Sequence, residues 1–467
     1  MSPVTLQQIA DWCGGQLLQG DSAGLISTVS TDTRTLQPGA LFVPLSGENF
    51  DAHEFIPAAA AAGAAAFLTA KALATPPPGG VIRVADPLRA LQDLARCWRL
   101  AWDGRVIGLT GSNGKTSTKD FARAILARRF RVHATRGNLN NHIGLPLTLL
   151  AADAEHELAV CELGMNHPGE IAPLAFIAAP DAAIITNIGT AHIEFMGTRE
   201  AIALEKGMLV EAVPAEGFAV LNADDPFTPS LARRCQGRVL QAGFANHADI
   251  RIVDARPEHS GSRFTLCLPD AAPMEIFLPV PGRHMVGNAA LAAAAGFGFG
   301  LSAAEIAEGL ASCAPPNSRL QRREVGGISF LDDSYNANPD SMAAALEVLK
   351  TLPCQGRRIA VLGRMGELGA HSDEAQRQLG IAVARQAIAV LCAVGEREAQ
   401  LIAQGAAAES GPTEVHHFAD ATACASFLVG CATPEDLILV KGSRSSAMER
   451  VIDFFSQQSC FTGSTKP

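Results

Sequence analysis

The segment Gly108-Leu-Thr-Gly-Ser-Asn-Gly-Lys-Thr-Ser-Thr118 constrains this chain more tightly than any other feature. It lies between a β-rich run, Val106–Leu109, and a segment of helical composition, Thr116–Arg129. Its inner glycines allow sharp backbone turns, so that amide N–H groups at the start of a helix can surround phosphate oxygens. The pattern predicts a phosphate-binding loop in which Lys115 reaches the terminal phosphates and the Thr116 hydroxyl ligates Mg²⁺.

The match to the general nucleotide-binding loop is incomplete, because that pattern has glycine where this chain has Leu109. The shorter form Thr-Gly-x-x-Gly-Lys-Thr is intact. It predicts these ATP-binding residues: Gly111, Ser112, Asn113, Gly114, Lys115, Thr116 and Ser117. The alternative is a glycine turn before a helix, with Lys115 solvated.

Composition narrows the class of protein. At 467 residues the chain has room for about three domains, and with 48% hydrophobic and 18% charged residues it forms cores. A net charge of −10 argues against nucleic acid as a partner. Eleven scattered cysteines without a Cys-x-x-Cys pair indicate free thiols in a reducing cytoplasm.

Neither the N-terminus nor any apolar run predicts contact with a membrane. The first residues lack a basic start followed by an apolar stretch. The alanine-rich stretch Pro57–Leu68 is too short to span a bilayer, and we expect a buried helix there. We therefore expect a cytoplasmic protein without membrane insertion, and a monomer.

Predicted strands and helices divide the chain into three α/β units, at 1–103, 104–313 and 314–467, with Pro315-Pro316 at the second boundary. Strands are predicted in the first unit at Ala40–Leu45, Ala66–Thr69 and Val81–Val84. The second unit has Val106–Leu109, Leu158–Leu163, Ala182–Thr186 and Ala219–Leu221, and alternation with helices favours a parallel sheet. The third has Ile328–Leu331, Arg358–Leu362, Ala389–Val394 and Leu437–Val440, as in a smaller doubly wound (Rossmann-like) domain.

Two polar side chains follow predicted strands of the second unit. Glu162 and His192 would lie at carboxyl ends of strands, where ligands bind in doubly wound sheets. Either could ligate a metal, and the alternatives are a solvated strand-end carboxylate and a structural histidine. By its position alone, Lys206 is an ordinary solvated helix lysine.

Three further loops carry polar groups. Asp332–Asp340 follows a strand, and its side chains could bond the local backbone or bind ribose hydroxyls or a polar substrate. The amides of Gly137–Pro146 could capture a phosphate or a carboxylate. Lys441–Ser446 forms a plausible anion site, because arginine grips carboxylates and phosphates in bidentate fashion. The alternatives are bonds to the local backbone alone in the first loop, a plain loop in the second, and basic residues on a solvated loop in the third.

Together these motifs resemble the Mur ligase family of peptidoglycan synthesis, in order and over essentially the whole chain. The segments that carry the resemblance are Thr110–Ser117, Gly137–Asn141, Glu162–Asn166, Ala191-His192, Gly282–His284, Asp333–Asn338 and Lys441–Arg444. Within the family, Asn-Leu-Asn-Asn, Asp-Ser-Tyr-Asn-Ala-Asn and Val-Lys-Gly-Ser-Arg-Ser resemble the member that adds D-alanyl-D-alanine to UDP-N-acetylmuramoyl-tripeptide.

Two relatives of that member fit less well. The sibling that adds the third amino acid carries an Asp-Asn-Pro-Arg box, which this sequence lacks. Folylpolyglutamate synthases share the ATPase and last domains but lack a nucleotide-sugar domain, so residues 1–103 argue against them. The sequence does not indicate whether the tripeptide ends in meso-diaminopimelate or lysine.

The resemblance implies a role for each unit. The first would hold the UDP-sugar through Asp32, Thr33, Arg34, Ser46 and Gly47. The second would bind Mg-ATP, with one or two metals on Thr116, Glu162 and His192. In this family the lysine at the position of Lys206 is often carbamylated, which turns a cation into a metal-binding carboxylate. Lys115, His192 and Lys206 are therefore the expected catalytic residues.

The resemblance also implies contacts from the loops. Asn288 and Arg319 would meet the adenine and the phosphates, and Asp333 the ribose. The residues expected to meet the dipeptide or the other substrates are Asn138, Asn140, Asn141, Asn336, Asn338, Lys441 and Arg444. The expected reaction is amide formation through an acyl phosphate, with the third unit closing over the site.

Overall fold

The structure, a computed structural model, describes residues 1–47, 50–314 and 318–462. These residues form three α/β units in sequence, each with its own main sheet. The Pro315-Pro316 boundary and the polar end at Gly463–Pro467 lie outside the described residues. Within the described chain, every helix is too short or too polar to cross a lipid bilayer.

The first unit is built on a five-stranded sheet. The strands of the unit, five of which form this sheet, are β1 Val4–Thr5, β2 Gln16–Gln19, β3 Leu25–Ile26, β4 Val29–Ser30, β5 Leu41–Phe42, β6 Ala66–Thr69 and β7 Gly80–Arg83. Its helices are α1 Leu6–Trp12, α2 Ile56–Ala61 and α3 Pro87–Ala101, with a 3₁₀ turn at Ala52–Phe55. The sheet order is β2-β7-β6-β5-β4, and β1 pairs separately with β3.

One expectation for this unit is wrong in its extent. The alanine-rich stretch predicted as a helix over Pro57–Leu68 is helical only to Ala61, and its end forms β6. The helix stops before Gly63, whose φ of +91° suits glycine in a turn. β6 is buried along its whole length and confirms the strand predicted at Ala66–Thr69, so the error is that the expected helix overlapped this core strand.

The second unit contains a nine-stranded sheet. Its strands are β8 Arg105–Thr110, β9 Val132–Ala134, β10 Leu158–Glu162, β11 Ala182–Ile185, β12 Phe218–Asn222, β13 Arg238–Gly243, β14 Ile250–Glu258, β15 Gly261–Cys267 and β16 Met274–Leu278. Its helices are α4 Lys115–Leu126, α5 Gly144–Ala151, α6 Ile171–Ala178, α7 Ile193–Met196, α8 Arg199–Glu211, α9 Thr228–Ala232, α10 Arg283–Gly298 and α11 Ala303–Ala311.

The central sheet is mixed, which corrects the expectation of a parallel sheet. Its order is β16-β15-β14-β13-β12-β11-β8-β10-β9, and the strands from β14 to β9 are parallel. β15 runs antiparallel to β14, and β16 antiparallel to β15. Their connections are too short for a helical crossover, so the chain reverses direction through turns.

The third unit contains a six-stranded sheet in the order β17-β18-β22-β19-β20-β21. Its strands are β17 Gln321–Val325, β18 Ile328–Asp333, β19 Arg358–Leu362, β20 Val390–Val394, β21 Glu414–Phe418 and β22 Leu437–Lys441. Its helices are α12 Pro339–Thr351, α13 Ser372–Arg385, α14 Arg397–Ala407, α15 Ala421–Cys431 and α16 Glu449–Thr462. Only β17 is antiparallel to its neighbour.

The core of the second unit fixes the position of the glycine loop. Ile107 and Leu109 of β8 are fully buried in the same cluster as Phe121 and Ile125 of α4. The two α4 side chains are four residues apart and so share one helix face. β8 lies between β10 and β11, so the three strands end at one edge of the sheet. Strand-end side chains therefore converge beside the loop.

Candidate active site

The glycine loop joins β8 directly to the N-terminus of α4. Gly114 caps the helix with a φ of +80°, a conformation that suits glycine. Space is also limiting: a Cβ on Gly114 would lie 2.5 Å from Asn288 Oδ1, and one on Gly111 would collide with Thr186. Both glycines are therefore required by close packing of the loop, and the Asn288 side chain lies against Gly114.

Lys115 begins α4 and folds back over the loop. Its Nζ donates a hydrogen bond of 2.6 Å to the carbonyl oxygen of Gly111. Burial lowers the pKa of Lys115, while the nearby Glu162 carboxylate opposes that shift. The amine thus lies at the start of a helix, where backbone N–H groups also favour an anion.

Glu162, at the end of β10, has a buried carboxylate that is not fully satisfied. Only 2% of the residue is exposed, and Oε2 accepts a long 3.5 Å hydrogen bond from the Thr116 hydroxyl. Oε1 has no hydrogen-bond partner among the described residues, although Lys119 Nζ lies 3.5 Å away. A buried carboxylate oxygen beside a helix-start hydroxyl fits a hard cation such as Mg²⁺.

His192 contacts the third unit. Its backbone is left-handed, with φ of +63°, and Nδ1 lies 2.6 Å from Oε2 of Glu367, which has a φ of +59°. The His192 contact is the main reason that the pKa of Glu367 is lowered. A left-handed backbone is unusual for non-glycine residues such as His192 and Glu367. Such conformations are retained where the surrounding structure determines them.

Lys206 is not solvated. It lies in α8 with 1% of its surface exposed. Burial shifts its pKa well below the ordinary value, and the charge of Lys115 lowers it further. A neutral amine is favoured in such surroundings.

The third unit brings its own cations to the edge of the loop. Lys441 Nζ lies 2.6 Å from Asp333 Oδ2 and donates to the carbonyl oxygen of Asn336. Arg319 Nη2 donates a 3.1 Å hydrogen bond to Thr116 Oγ1, and its guanidinium carbon lies 4.3 Å from the centroid of the Tyr335 ring. Arg319 thus joins the third unit to the residue predicted to hold the metal.

Asn336, Asn338 and Arg444 have structural contacts as well as a place near the loop. Asn338 caps α12 and donates from Nδ2 to Asn113 Oδ1 at 2.8 Å. Asn336 Oδ1 accepts from the backbone of Arg444, whose side chain pairs with Glu449. These contacts are structural, and the binding roles of the three side chains stay predictions.

The loop after β9 is held by its own asparagines. Asn141 Oδ1 accepts a 2.9 Å hydrogen bond from the amide of Gly144, the first residue of α5. The Asn140 carbonyl accepts from the amide of Gly164, two residues after Glu162, at 2.8 Å. Asn138 accepts from the Asn140 amide. The loop is therefore fixed against the end of β10.

A cavity of about 1170 Å³ separates these elements. Most predicted ATP, metal and substrate residues of the second and third units line it, namely Ser112–Ser117, Asn138, Asn140, Asn141, Glu162, His192, Asn288, Arg319, Asp333, Asn336, Asn338, Lys441 and Arg444. Sequence reasoning missed other lining residues: His284, Tyr335, Asp340, Arg364, Glu367, Ser443 and Ser445. His284, Tyr335 and Ser443 lie in recognised motifs, and Asp340 and Ser445 lie in the two polar loops named above, which was the available signal.

The candidates of the first unit lie apart from this cavity. Among the described residues, Asp32, Thr33, Arg34, Ser46 and Gly47 are absent from its wall. Asp32 and Arg34 pair with each other at 2.7 Å, and this contact lowers the pKa of Asp32 to about 2. The Ser46 hydroxyl donates to Asp51, and the Gly47 amide donates to the carbonyl oxygen of Phe50. Lys206 also lies off the wall.

The described residues contain no group of three or more His, Cys, Asp or Glu side chains arranged to hold a metal ion. A metal at Thr116 and Glu162 would therefore need ligands from elsewhere. Mg²⁺ commonly binds through one or two protein ligands together with water and substrate phosphates. The geometry defines a polyanion site of the P-loop type, completed by a second α/β domain.

The chain belongs to the Mur ligase family. Profiles of that family match in chain order: "Mur ligase family, catalytic domain" over residues 25–98, "Mur ligase middle domain" over 109–296 and "Mur ligase, glutamate ligase domain" over 318–444. The three matches correspond to the three α/β units, and they confirm the three-domain fold expected from the resemblance.

Individual relatives match over nearly full length. The UDP-N-acetylmuramoyl-tripeptide--D-alanyl-D-alanine ligase of Bacillus subtilis is 38% identical, covering 96% of this chain and 97% of its own. A crystal structure of MurF from Acinetobacter baumannii superposes with a TM-score of 0.90 at 32% identity, over 98% of this chain and 99% of that one. The MurF ligase of Thermotoga maritima in complex with ADP gives 0.83 at 29% identity, over 93% and 98%.

Proposed function

We propose that this chain is an ATP-dependent ligase that joins D-alanyl-D-alanine to UDP-N-acetylmuramoyl-tripeptide, giving the pentapeptide precursor of peptidoglycan. Full-length relatives at 38% identity carry the name of this activity. The structural observation that carries the proposal is the single cavity shared by the glycine loop of the second unit and the cations of the third. Amide synthesis needs a nucleotide, an acid and an amine in one place, and this cavity joins both domains.

The first step is phosphorylation of the terminal carboxylate of the tripeptide. A carboxylate oxygen attacks the γ-phosphorus of ATP, the bond to the β–γ bridging oxygen breaks, and ADP leaves. Positioning and charge neutralisation account for most of the catalysis of such transfers. Lys115 and the amides of the Gly111–Thr116 loop, at the N-terminus of α4, supply positive charge where two anions meet.

Thr116 and Glu162 are the residues that would hold Mg²⁺, since Glu162 Oε1 is buried without a hydrogen-bond partner among the described residues. When bound, Mg²⁺ would neutralise charge on the phosphates. Arg319 already donates to Thr116 and would orient that hydroxyl. His192 lines the same cavity and is the candidate ligand for a second metal.

Lys206 is proposed to be carbamylated. Its burial and the proximity of Lys115 favour the neutral amine, which is the form that attacks carbon dioxide. The nitrogen bonds to the carbon of CO₂ and releases one proton, leaving a carbamate anion. The new negative charge would offset the Lys115 ammonium and extend toward the site.

The second step is attack of the dipeptide amine on the acyl phosphate. A C–N bond forms, the amine loses a proton, and phosphate leaves with one former carboxylate oxygen. Arg444 and Lys441 lie on the third-unit side of the cavity and are proposed to orient the dipeptide or the nucleotide. Closure of this domain would exclude water, which would otherwise hydrolyse the intermediate.

The first unit is proposed to hold the UDP-sugar. We assign that role to residues 1–103, nucleotide activation to 104–313 and dipeptide binding to 314–467. Asp32, Thr33, Arg34, Ser46 and Gly47 remain the proposed contacts, away from the cavity where phosphoryl transfer occurs. A nucleotide-sugar could bridge that distance because its peptide extends far from the uridine.

One assay tests the proposal and its competitors. ATP, Mg²⁺, UDP-N-acetylmuramoyl-tripeptide and D-alanyl-D-alanine are incubated with the protein, and the product mass is measured with each substrate omitted in turn. A ligase forms the pentapeptide nucleotide only in the complete mixture. Equal ATP turnover without the amine or the nucleotide-sugar would indicate an ATPase, and binding without turnover a non-catalytic module.

A further inference from the structure

The segment Gly189–His192 lies between the glycine loop and the third unit, and it bonds to both. The Gly189 amide donates to Ser112 Oγ at 2.8 Å. One residue later, the Thr190 amide and hydroxyl both donate to Oδ2 of Asp340, at 2.8 and 3.0 Å. Asp340 stands in the first turn of α12, so one carboxylate oxygen of the third unit holds two donors of the second.

Packing shows that the contact is closely fitted. A Cβ on Gly189 would overlap Asp340 Oδ2 and would lie 3.2 Å from the Ser112 Cβ. Any larger residue at 189 would therefore separate the two domains or displace the loop. Glycine is needed here for space rather than for an unusual backbone conformation, because its φ is not positive.

The same segment leads into the cavity. His192 follows Thr190 by two residues, has a left-handed backbone and contacts Glu367 of the third unit. The Glu367 carbonyl also accepts from the Glu194 amide at 3.4 Å. The segment is thus held by the third unit at two points, before and after the turn that places the His192 side chain.

We propose that Asp340 is a positioning residue: by accepting both donors of Thr190, it couples docking of the third unit to the conformation of the Gly189–His192 segment. The carboxylate makes charge-assisted hydrogen bonds, which are stronger than neutral ones. Its alternative role is purely local, since an acid in the first turn of a helix stabilises that helix.

Hydrogen exchange of the full-length protein, followed by mass spectrometry, separates the two roles. In Asp340→Ala, exchange at the Thr190 amide should rise about tenfold, the loss expected for a hydrogen bond to a charged group. Asp340→Asn keeps an acceptor oxygen but loses the charge, so it should restore part of the protection. Glu347→Ala removes an exposed carboxylate from the same helix and should leave Thr190 unchanged.

Two further variants approach the contact from the other side. Thr190→Val removes one donor and should raise exchange less than Asp340→Ala. Gly189→Ala should reproduce the effect of Asp340→Ala, and combining the two should add little, because both act on one contact. The proposal is overturned if Asp340→Ala speeds exchange only within α12, or if Asp340→Asn is as damaging as Asp340→Ala.

Steady-state kinetics test whether the coupling affects turnover. This kinetic test rests on the proposed ligase function. Asp340→Ala should lower kcat with a smaller change in the KM for ATP, and Asp340→Asn should recover part of the rate. Unchanged kcat in Asp340→Ala would refute the kinetic part. The exchange result requires no substrate, so failure of the ligase assay and failure of this proposal are distinguishable.

Discussion

The glycine-loop cavity and the polar cluster of the first unit contain similar residue types. They differ in whether the polar side chains have hydrogen-bond partners within the protein. The cluster comprises two groups, Asp32 with Arg34 and Ser46 with Asp51 and Lys71, and the side chains within each group satisfy one another. In the cavity, Glu162 keeps a buried oxygen without a hydrogen-bond partner among the described residues. A buried carboxylate oxygen without a hydrogen bond is costly, and this is the reason for assigning Glu162 to a bound cation.

The largest expected effect is at the cavity. Lys115→Ala should reduce ligation by at least about 10²–10³-fold, because a cation facing developing phosphate charge is lost. The fold should remain intact, as judged by circular dichroism and melting temperature. Lys350→Ala, which removes an exposed lysine from α12, is the matched control and should be active. Near-normal turnover by folded Lys115→Ala would contradict the assignment of Lys115 to the transferred phosphate.

Glu162→Gln tests whether the unsatisfied carboxylate is a metal ligand. The change keeps the shape of the side chain and removes its charge, so the Mg²⁺ concentration for half-maximal activity should rise about 10–100-fold. Glu155→Gln, an exposed neighbour ahead of β10, is the control. An unchanged Mg²⁺ titration in Glu162→Gln would count against the metal assignment.

Acid should affect the cavity before it affects the cluster. Burial lowers the pKa of His284 to about 4, opposed by Asp333. The unfolded chain binds this proton near pH 6.5. Stability from the neutral histidine is therefore present above that pH and is lost as pH falls toward 4, about 2 kcal/mol at pH 5 by linkage. Asp32, with a pKa of about 2, stays charged throughout.

The measurement is the free energy of unfolding from denaturant titrations at pH 7 and pH 5. His284→Gln should show a smaller loss between the two pH values than the unchanged protein does. Equal losses in the two proteins would mean that His284 titrates normally in the folded state.

The smallest effect is expected in the cluster. Arg34→Ala removes an exposed partner of Asp32. Exposed ion pairs contribute little to stability, so the melting temperature should not change measurably. If Arg34 contacts the UDP-sugar, the KM for UDP-N-acetylmuramoyl-tripeptide should rise in Arg34→Ala while the KM for ATP stays constant. Unchanged kinetics for both substrates would show that the cluster is only structural.

The sequence predicted best those features that depend on local order. A β-rich run, closely spaced glycines and a helical segment define the loop geometry within a dozen residues, and Lys115 and Thr116 lie where that pattern places them. Strand-end placement also located Glu162 correctly beside the loop. These placements follow from local sequence patterns, so they can be predicted without knowledge of contacts between distant segments.

Other features depend on partners far away in sequence. Glu367 and Asp340 contact the second unit across the domain boundary. No local pattern marks Glu367, and the polar loop that ends at Asp340 does not indicate its contact with Thr190. Burial of Lys206 follows from how α8 packs, whereas its sequence context suggests a solvated lysine. The turn between β14 and β15 lacks a helix-forming segment, but the sheet around it was predicted as wholly parallel.

The central claim is that the glycine loop activates a peptide acid as an acyl phosphate. The direct test uses UDP-N-acetylmuramoyl-tripeptide with ¹⁸O at both oxygens of its terminal carboxylate, together with ATP, Mg²⁺ and D-alanyl-D-alanine. Acyl-phosphate formation predicts one ¹⁸O atom in each inorganic phosphate released with a pentapeptide. Amide formation with unlabelled phosphate would contradict it.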